Sequence, residues 1–369
     1  MDRRDLYVCN SVYQLLVALW IKHAVNPDIP GDLIVSNHMN NGSGLVERIR
    51  GEGCFEHLYY VESLDYARYR TPHSRKDRFT EEMLPGKILA RYWPGEEAYT
   101  TVYIANPDRF AQLLFHALTR RNPGVRAVIF EDGMLTYSPI FRKDIESSRI
   151  EIKTPAKKFL YHHIFRRKAL ADHIREILLF HPKDLDWRPW FAVTSLKKID
   201  CLDLAFRDMC NRIFQYDGTV DCYNRKYLFM EESFAAEGVP INDVQLLNQL
   251  AARVGKENIM VKIHPRNPVN RFAQEGFQTN RNTSIPWELI VMNLEDLSDM
   301  SLITVASSSV LNPVMIFGRK VKAYSLYNLV DKEASTSRLL TGPFWNTVHK
   351  VFLENADMIT ICDSIDDIN

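Results

Sequence analysis

Short apolar runs alternate with helical patterns along the chain, and this alternation limits the folds open to it. In the first half the apolar runs are Leu6–Cys9, Leu33–Val35, Leu58–Val61, Thr101–Ile104 and Ala127–Phe130. Helical patterns, such as Tyr13–His23 and Arg109–Thr119, occupy most of the gaps. Strands that are separated by helices form parallel sheets, because a parallel connection has to cross the sheet. The first half therefore predicts an α/β domain with a parallel, Rossmann-like sheet.

A second series of the same kind begins at Lys226. Its apolar runs are Tyr227–Met230, Ile259–Ile263, Leu302–Val305 and Val321–Ser325. Helical patterns lie between them, and two of these patterns end at a glycine, as helices often do. We therefore expect two Rossmann-like domains facing each other across a cleft, with residues 1–220 in the first and 221–369 in the second.

The composition excludes several classes of protein. The chain has 369 residues with 46 basic and 46 acidic side chains, whereas proteins that bind nucleic acid are usually basic. The six cysteines form no C-x-x-C pair, which argues against structural zinc and against a disulfide scaffold and fits a reducing cytoplasm. The apolar run Leu15–Trp20 is too short to span a membrane, and no signal peptide is recognised.

Two stretches differ in composition from the alternating strand and helix segments. Residues 65–97 are charged, aromatic and rich in helix breakers, which is typical of a surface excursion. Within 151–220, basic residues interleave with apolar ones, notably over 157–175, and predict a basic amphipathic helix. Such a helix could pack on the core, attach to anionic lipid on the cytoplasmic face of the membrane, or form a homodimer face.

The run Val261-Lys262-Ile263-His264-Pro265 closes an apolar strand with a cation and an imidazole. Proline keeps the preceding residue extended, so His264 is held by the strand. Ligands of α/β folds bind where strands end. The run therefore predicts an anion site, although a structural histidine is the alternative.

Glu131-Asp132-Gly133 directly follows another apolar strand. Glycine permits a sharp turn, and neighbouring carboxylates raise one another's pKa, which suits a general base. An ordinary turn is the alternative for so short a pattern. The residues alone leave open which carboxylate would be the base.

Two further polar groups lie in the second half. Ser307, Ser308 and Ser309 fall between a strand and a helix, where hydroxyls and free backbone N–H groups can bind phosphate, although a helix cap needs only one serine. Glu288, at the start of a short helix after Pro286, could accept hydrogen bonds from a ribose diol.

The sequence also contains one candidate metal-binding motif. Asp184-Leu185-Asp186 is a D-x-D sequence, but it does not end a clear buried strand, so we interpret it as a solvated loop. If the chain catalyses a reaction with a phosphate leaving group and holds no metal, protein cations and dipoles must neutralise the charge of that group.

In order along the chain, the acidic pair, the K-x-H-P run, Glu288 and the serine run resemble the motifs of bacterial sialyltransferases. Those families share a GT-B fold with an acidic D/E-D/E-G motif, an HP motif and a serine motif. The opening segment Cys9–Gln14 is similar to the first strand–helix turn of glycosyltransferase family 52, which includes lipooligosaccharide sialyltransferases. The resemblance covers about residues 5–320.

The resemblance implies a role for each matched residue. Glu131, or Asp132 in its place, would deprotonate the acceptor hydroxyl, and His264 would stabilise the departing CMP. Lys262 would meet the cytosine or the phosphate. The remaining matches are Pro265, Glu288 and Ser307, Ser308 and Ser309 on the donor side, and Asn10, Ser11, Gln14 and Gly133 on the acceptor side.

The function that follows is an inverting, metal-independent sialyltransferase without a cofactor. It would transfer sialic acid from CMP-sialic acid to a galactose-terminated glycan of a bacterial capsule or lipooligosaccharide. Two alternatives remain open from the sequence: a family 52-like transferase with another nucleotide-sugar donor such as a UDP-hexose, and a non-catalytic carbohydrate- or nucleotide-binding protein on the same scaffold.

Overall fold

The chain divides into two compact units. The computed structural model describes residues 3–39, 41–64, 66, 84–148, 159, 163, 168–219, 223–331 and 338–369. The first unit consists of the residues up to Asp132 together with Ile140–Pro182 and Trp187–Leu196. The second consists of Gly133–Pro139, Lys183–Asp186 and Lys197–Asn369.

The division at Leu196 comes earlier in the chain than the predicted boundary near 220. The reason is helix Leu204–Phe214, which packs within the second unit. Asn211 of that helix and Asn293 exchange two side-chain hydrogen bonds, with N–O distances of 2.9 and 2.8 Å. Residues 197–219 therefore belong to the second unit.

A seven-stranded parallel sheet forms the centre of the first unit, in the order β3-β2-β1-β4-β5-β6-β7. The strands are β1 (Asp5–Cys9), β2 (Gly31–Ser36), β3 (Leu58–Val61), β4 (Thr101–Ile104), β5 (Arg126–Phe130), β6 (Ile174–Leu179) and β7 (Ala192–Ser195). The helices are α1 (Val12–Trp20), α2 (Gly42–Glu52), α3 (Pro85–Leu89), α4 (Arg109–Arg121), α5 (Pro139–Ser147) and α6 (Leu170–His173).

A six-stranded parallel sheet forms the centre of the second unit, in the order β10-β9-β8-β11-β12-β13. The strands are β8 (Tyr227–Met230), β9 (Ile259–Lys262), β10 (Gln278–Thr279), β11 (Ser301–Thr304), β12 (Lys322–Ser325) and β13 (Ile359–Ile361). The helices are α7 (Leu204–Phe214), α8 (Asp243–Val254), α9 (Arg271–Gln274), α10 (Trp287–Asn293), α11 (Asn312–Phe317), α12 (Arg338–Thr341) and α13 (Pro343–Glu354).

The central strands of both sheets are buried along their whole length. Every residue of β1, β4, β8, β9 and β11 is buried, which is the pattern of parallel strands covered by helices on both faces. In the first sheet, β2 and β3 lie on one side of β1, and the strands from β4 onward lie on its other side. In the second sheet, β9 and β10 lie on one side of β8, and the strands from β11 onward lie on its other side. This is the doubly wound order, in which ligands bind at the point of reversal, beyond the carboxyl ends of the strands. The predicted α/β class with two parallel sheets is confirmed.

The predicted basic helix is wrong at its carboxyl end. Ile174 and Arg175, assigned above to a basic helix, lie in strand β6, and β7 follows it in the same sheet. Most of the basic segment, including 164–167, lies outside the described residues, as does most of 65–83. The predicted membrane or dimer contact through 157–175 therefore stays a prediction.

Two further observations concern the whole described chain. None of the helices in its described parts is both long enough and apolar enough to cross a membrane. Among the described residues, Cys9, Cys54, Cys201 and Cys362 are free thiols.

Candidate active site

Glu131 lies at the carboxyl end of β5, and its side chain is 2% exposed. One carboxylate oxygen accepts a hydrogen bond of 2.8 Å from the Tyr13 hydroxyl, and the other accepts one of 2.9 Å from the Phe180 N–H. These bonds tie β5 to the start of α1 and to the residue that follows β6. Glu131 is therefore a carboxylate whose position is fixed by both of its oxygens.

Asp132 is only partly buried, in contrast to its neighbour. Desolvation raises the pKa of this carboxyl group, while hydrogen bonds from the side chains of Gln14 and Asn106 act in the opposite direction. A raised pKa brings a carboxylate closer to the proton affinity that a general base needs. Each member of the pair thus has a property suited to proton transfer, Glu131 a fixed position and Asp132 a raised pKa.

The predicted acceptor-side residues Asn10, Ser11 and Gln14 follow β1, at the reversal point of the first sheet. Ser11 caps α1 by accepting from the Gln14 N–H at 3.1 Å. The Gln14 side chain accepts from the Asn10 N–H at 2.7 Å and also hydrogen-bonds Asp132. The turn after β1 is therefore connected directly to the acidic pair through Gln14.

The Asn10 side chain is itself held by the last residue of β2 and by the residue that caps α4. Its amide N–H donates to Asp108 at 2.8 Å, and its carbonyl oxygen accepts from the Ser36 hydroxyl at 2.8 Å. Both amide atoms are thus engaged within the protein. This bonding supports a positioning role for Asn10 at the strand edge.

Gly133 adopts a left-handed backbone conformation with φ of 66°. This region is unfavourable for residues with a Cβ atom, so the turn after the acidic pair requires glycine. The prediction of a sharp turn is confirmed at this position.

In the second unit, Lys262, Met230 and Thr304 are register partners at the carboxyl ends of three adjacent strands. Lys262 is 8% exposed, and its positive charge acts on the nearby Glu288 carboxyl group. The residues that follow these three strands therefore share one edge of the sheet. They include the histidine and the serines of the predicted donor site.

His264 is partly buried and has a defined tautomer. Its Nδ1 accepts a hydrogen bond of 3.2 Å from the Arg266 N–H, so the proton of the neutral ring is on Nε2. Burial lowers the pKa of His264 to about 4, and the charges of Arg266 and Lys262 add to this effect. At neutral pH the ring is uncharged and can donate a hydrogen bond from Nε2 to a ligand. Pro265, the next residue, is exposed.

Glu288 is 5% exposed in the first turn of α10. Burial raises the pKa of its carboxyl group, opposed by its own backbone N–H, by the Asn312 side chain and by the charge of Lys262. Asn312 donates a short hydrogen bond to one carboxylate oxygen. Glu288 therefore lies in the same cluster as Lys262, as the predicted donor site requires.

The serine run forms the turn between β11 and α11. The Ser307 and Ser309 hydroxyls lie 2.8 Å apart, and Ser307 caps the short helical turn by accepting from the Ser309 N–H. The indole N–H of Trp287 donates to the Ser309 carbonyl at 3.1 Å, which joins the turn to α10. The structure thus brings Lys262, Glu288 and the serines together within one unit.

Sequence reasoning missed a second acidic pair, Glu231-Glu232, which follows β8. Glu231 accepts from the His264 N–H at 2.9 Å and forms an ion pair with Arg271 at 3.1 Å. Arg271 also binds Asp243 through both of its terminal nitrogens, at 2.9 and 2.8 Å. Glu231 therefore fixes the backbone of the histidine motif. The signal in the sequence was an acidic pair at a strand end, the same as at Glu131-Asp132.

Two groups of acidic residues were considered as metal sites. Asp32, Glu56 and His57 form the one cluster of suitable size in the described parts of the chain, but Arg4 ion-pairs with both carboxylates at 2.7 and 2.6 Å. In the D-x-D sequence, Asp184 is buried, so the predicted solvated loop is wrong at this residue, and Asp186 binds Lys350 at 3.1 Å. Protein cations therefore already pair with Asp32, Glu56 and Asp186.

Comparison with known proteins places this site in a family. The model of the alpha-2,8-polysialyltransferase family matches residues 5–326. The chain belongs to the polysialyltransferase family. The match includes the acidic pair, the histidine motif and the serine run, so the predicted glycosyltransferase of the sialyltransferase kind is confirmed, and a purely binding protein is not supported. The resemblance to glycosyltransferase family 52 is still carried by the segment Cys9–Gln14.

The fold agrees with this family. An alpha/beta-galactoside alpha-2,3-sialyltransferase from Photobacterium phosphoreum matches with 11% identity and a TM-score of 0.50, covering 100% of each chain. UGT2 of Phytolacca americana, solved with UDP-2-fluoro-glucose and pterostilbene, matches with 11% identity and a TM-score of 0.48, covering 98% of this chain and 86% of that one. No curated protein matches the sequence. The first of these likenesses supports a GT-B fold.

Proposed function

We propose that the protein transfers sialic acid from CMP-sialic acid to the end of a glycan, with inversion at the anomeric carbon. The observation that carries the proposal is the family match over residues 5–326, which spans every motif of the candidate site. Lys262, the neutral His264 and the serine turn supply a cation and hydrogen-bond donors for the phosphate. Glu288 supplies an acceptor for the ribose hydroxyls.

In the proposed reaction a carboxylate of the Glu131-Asp132 pair removes the proton of the acceptor hydroxyl. The acceptor oxygen then attacks the anomeric carbon, and the bond from that carbon to the phosphate oxygen breaks. CMP leaves with the bonding electrons, and the donors on the second sheet stabilise its charge. A positioned base contributes on the order of 10²–10⁴ to the rate of such a step.

The acceptor is proposed from the name of the family. An alpha-2,8-polysialyltransferase extends a chain of sialic acid, so we favour an acceptor that ends in sialic acid over the galactose-ended one predicted above. Incubation of the protein with CMP-sialic acid and each of the two acceptors, followed by mass spectrometry, compares them. Elongation of the galactose-ended acceptor alone would contradict this choice.

The nucleotide is tested by thermal shift. CMP should raise the melting temperature, and UDP at equal concentration should raise it by less than half as much, because the donor is cytidine-linked. A larger shift with UDP would support the alternative of a UDP-hexose donor and contradict our proposal.

The base is tested with two isosteric variants. If Glu131 is the base, Glu131→Gln should lower kcat by about 10²–10⁴-fold, whereas Asp132→Asn should keep most of the wild-type kcat. The reverse ranking of the two variants would identify Asp132 as the base. CMP should bind to both variants as it does to the wild type, because these residues lie in the other unit from the donor cluster. Near wild-type turnover in both would refute the assignment of the base to this pair.

A further inference from the structure

Glu232 is a partly buried acidic residue to which the proposed reaction gives no role. It follows β8, which lies between β9 and β11 at the reversal point of the second sheet. In doubly wound sheets this is the place where ligands bind. The position alone makes Glu232 a neighbour of any nucleotide held by the serine turn.

One oxygen of Glu232 is occupied by the turn that leads into the serines. Its Oε1 accepts from the Thr304 hydroxyl at 2.6 Å and from the Ala306 N–H at 2.5 Å. The Thr304 oxygen in turn accepts from the Ser307 N–H at 2.8 Å. Glu232 is therefore built into the phosphate-binding turn rather than lying beside it.

The other oxygen, Oε2, is buried and has no hydrogen-bond partner among the residues that the structure describes. An ionised carboxylate with a bare buried oxygen is costly, so the neutral acid is favoured. Because Oε1 already accepts two hydrogen bonds, the proton of the neutral acid is on Oε2. This leaves a buried O–H donor without an acceptor, and a ligand oxygen would satisfy it.

The surrounding charges agree with a neutral acid. Burial raises the pKa of Glu232 to about 7, against the hydrogen bonds from Thr304, Ala306 and the Ser307 backbone, and the negative charge of Asp243 raises it further. Arg271 is committed to Asp243 and Glu231 and forms no ion pair with Glu232. The charged or titratable groups of the segments around this strand end are Glu231, Asp243, Lys262, His264, Arg271 and Glu288.

We propose that Glu232 is a ligand of the donor phosphate that works as a neutral acid, with Oε2–H donating a hydrogen bond to a phosphate oxygen. This inference rests on the proposed function, since it takes the ligand of the serine turn to be a cytidine nucleotide. A phosphate oxygen only accepts hydrogen bonds, so an ionised Glu232 would repel it. Donor binding should therefore weaken as Glu232 loses its proton.

The experiment measures binding by calorimetry between pH 6 and pH 8.5. The probe is the methyl ester of CMP, whose phosphate keeps one charge over this range, and cytidine is the matched ligand without phosphate. If only the protonated form binds, the Kd of the ester for the wild type should rise roughly 30-fold between these pH values. In Glu232→Gln, whose amide still donates a hydrogen bond, the rise should be less than about 3-fold. Cytidine should show no such rise with either protein.

The result that overturns the inference is an equal pH dependence of ester binding in the wild type and the variant. If Glu232→Gln does not fold, the wild type alone decides. Above pH 7 its Kd for the ester should rise while its Kd for cytidine stays constant, and the same pH dependence for both ligands would refute the proposal. Failure of the proposed function looks different: neither ligand would bind to the wild type at any pH, and the inference would fall with it.

Discussion

Replacing Glu232 by glutamine should make the protein more stable at alkaline pH and leave its stability nearly unchanged at acidic pH. The pKa of this carboxyl group rises from 4.5 to about 7 on folding, mainly through burial. Between these values the folded protein binds a proton that the unfolded chain does not, so the free energy of unfolding of the wild type falls as the pH rises. Below pH 4.5 this penalty is absent, and above pH 7 it is complete.

The size of the effect follows from the shift. At about 1.4 kcal/mol per pKa unit, ionised Glu232 costs the folded wild type about 3–4 kcal/mol at pH 8. Glutamine keeps the acceptor for Thr304 and Ala306 and cannot ionise. The difference in the free energy of unfolding between variant and wild type should therefore grow from near zero at pH 4.5 to about 3–4 kcal/mol at pH 8.

The assay is urea denaturation followed by tryptophan fluorescence, at several pH values from 4.5 to 8.5. Comparison of variant with wild type at each pH removes the contribution of all other titrating groups. Glu237→Gln is a matched control, because Glu237 is an exposed carboxylate of the same unit that pairs with Arg266 at 3.0 Å. A difference between Glu232→Gln and the wild type that stays constant over this range would refute the reasoning.

Two other substitutions test the contacts of the second unit. Arg271→Met should lower the free energy of unfolding by about 3–5 kcal/mol in urea denaturation, because it leaves the buried carboxylates of Glu231 and Asp243 without a cation. If adding Asp243→Asn restores stability, this cause is supported. A loss of stability below about 1 kcal/mol in Arg271→Met would contradict it. Asp186→Asn should change stability by less than about 1 kcal/mol, because its pair with Lys350 is partly exposed, and should leave transfer activity and its survival in EDTA unchanged. A strict metal requirement that disappears in Asp186→Asn would instead make the D-x-D sequence a metal site.

The alternation of strands and helices predicted the central strands of both sheets, because buried parallel strands read as continuous apolar runs. It failed at β6, where Arg175 and Glu176 interrupt the run and the basic residues before it favour a helix. It also missed β10, since Gln278–Thr279 is too short to leave a pattern. These errors are at places where pairing with a neighbouring strand, rather than local sequence, determines the structure.

The candidate site was predictable as far as its motifs, and no further. Glu232 was missed because the groups that hold it, Thr304 and Ala306, are 72 and 74 residues away in sequence. Only the strand order reveals that β8 lies beside β11. The different surroundings of Glu131 and Asp132 were equally invisible, because they depend on Tyr13, Phe180 and Gln14 from other segments. Sequence gives the residue types at strand ends, and packing decides which of their atoms stay available.

The second unit is assembled from three separate stretches of chain, and this limits how the protein can be divided. A fragment that begins at Lys197 would lack Lys183–Asp186 and Gly133–Pro139, which belong to the same unit. It would lose the carboxylate of Asp186 that binds Lys350 and receives a hydrogen bond from Thr347. A single protease cut near Leu196 is thus expected to leave two pieces that remain associated, and neither half is a sound choice for separate expression.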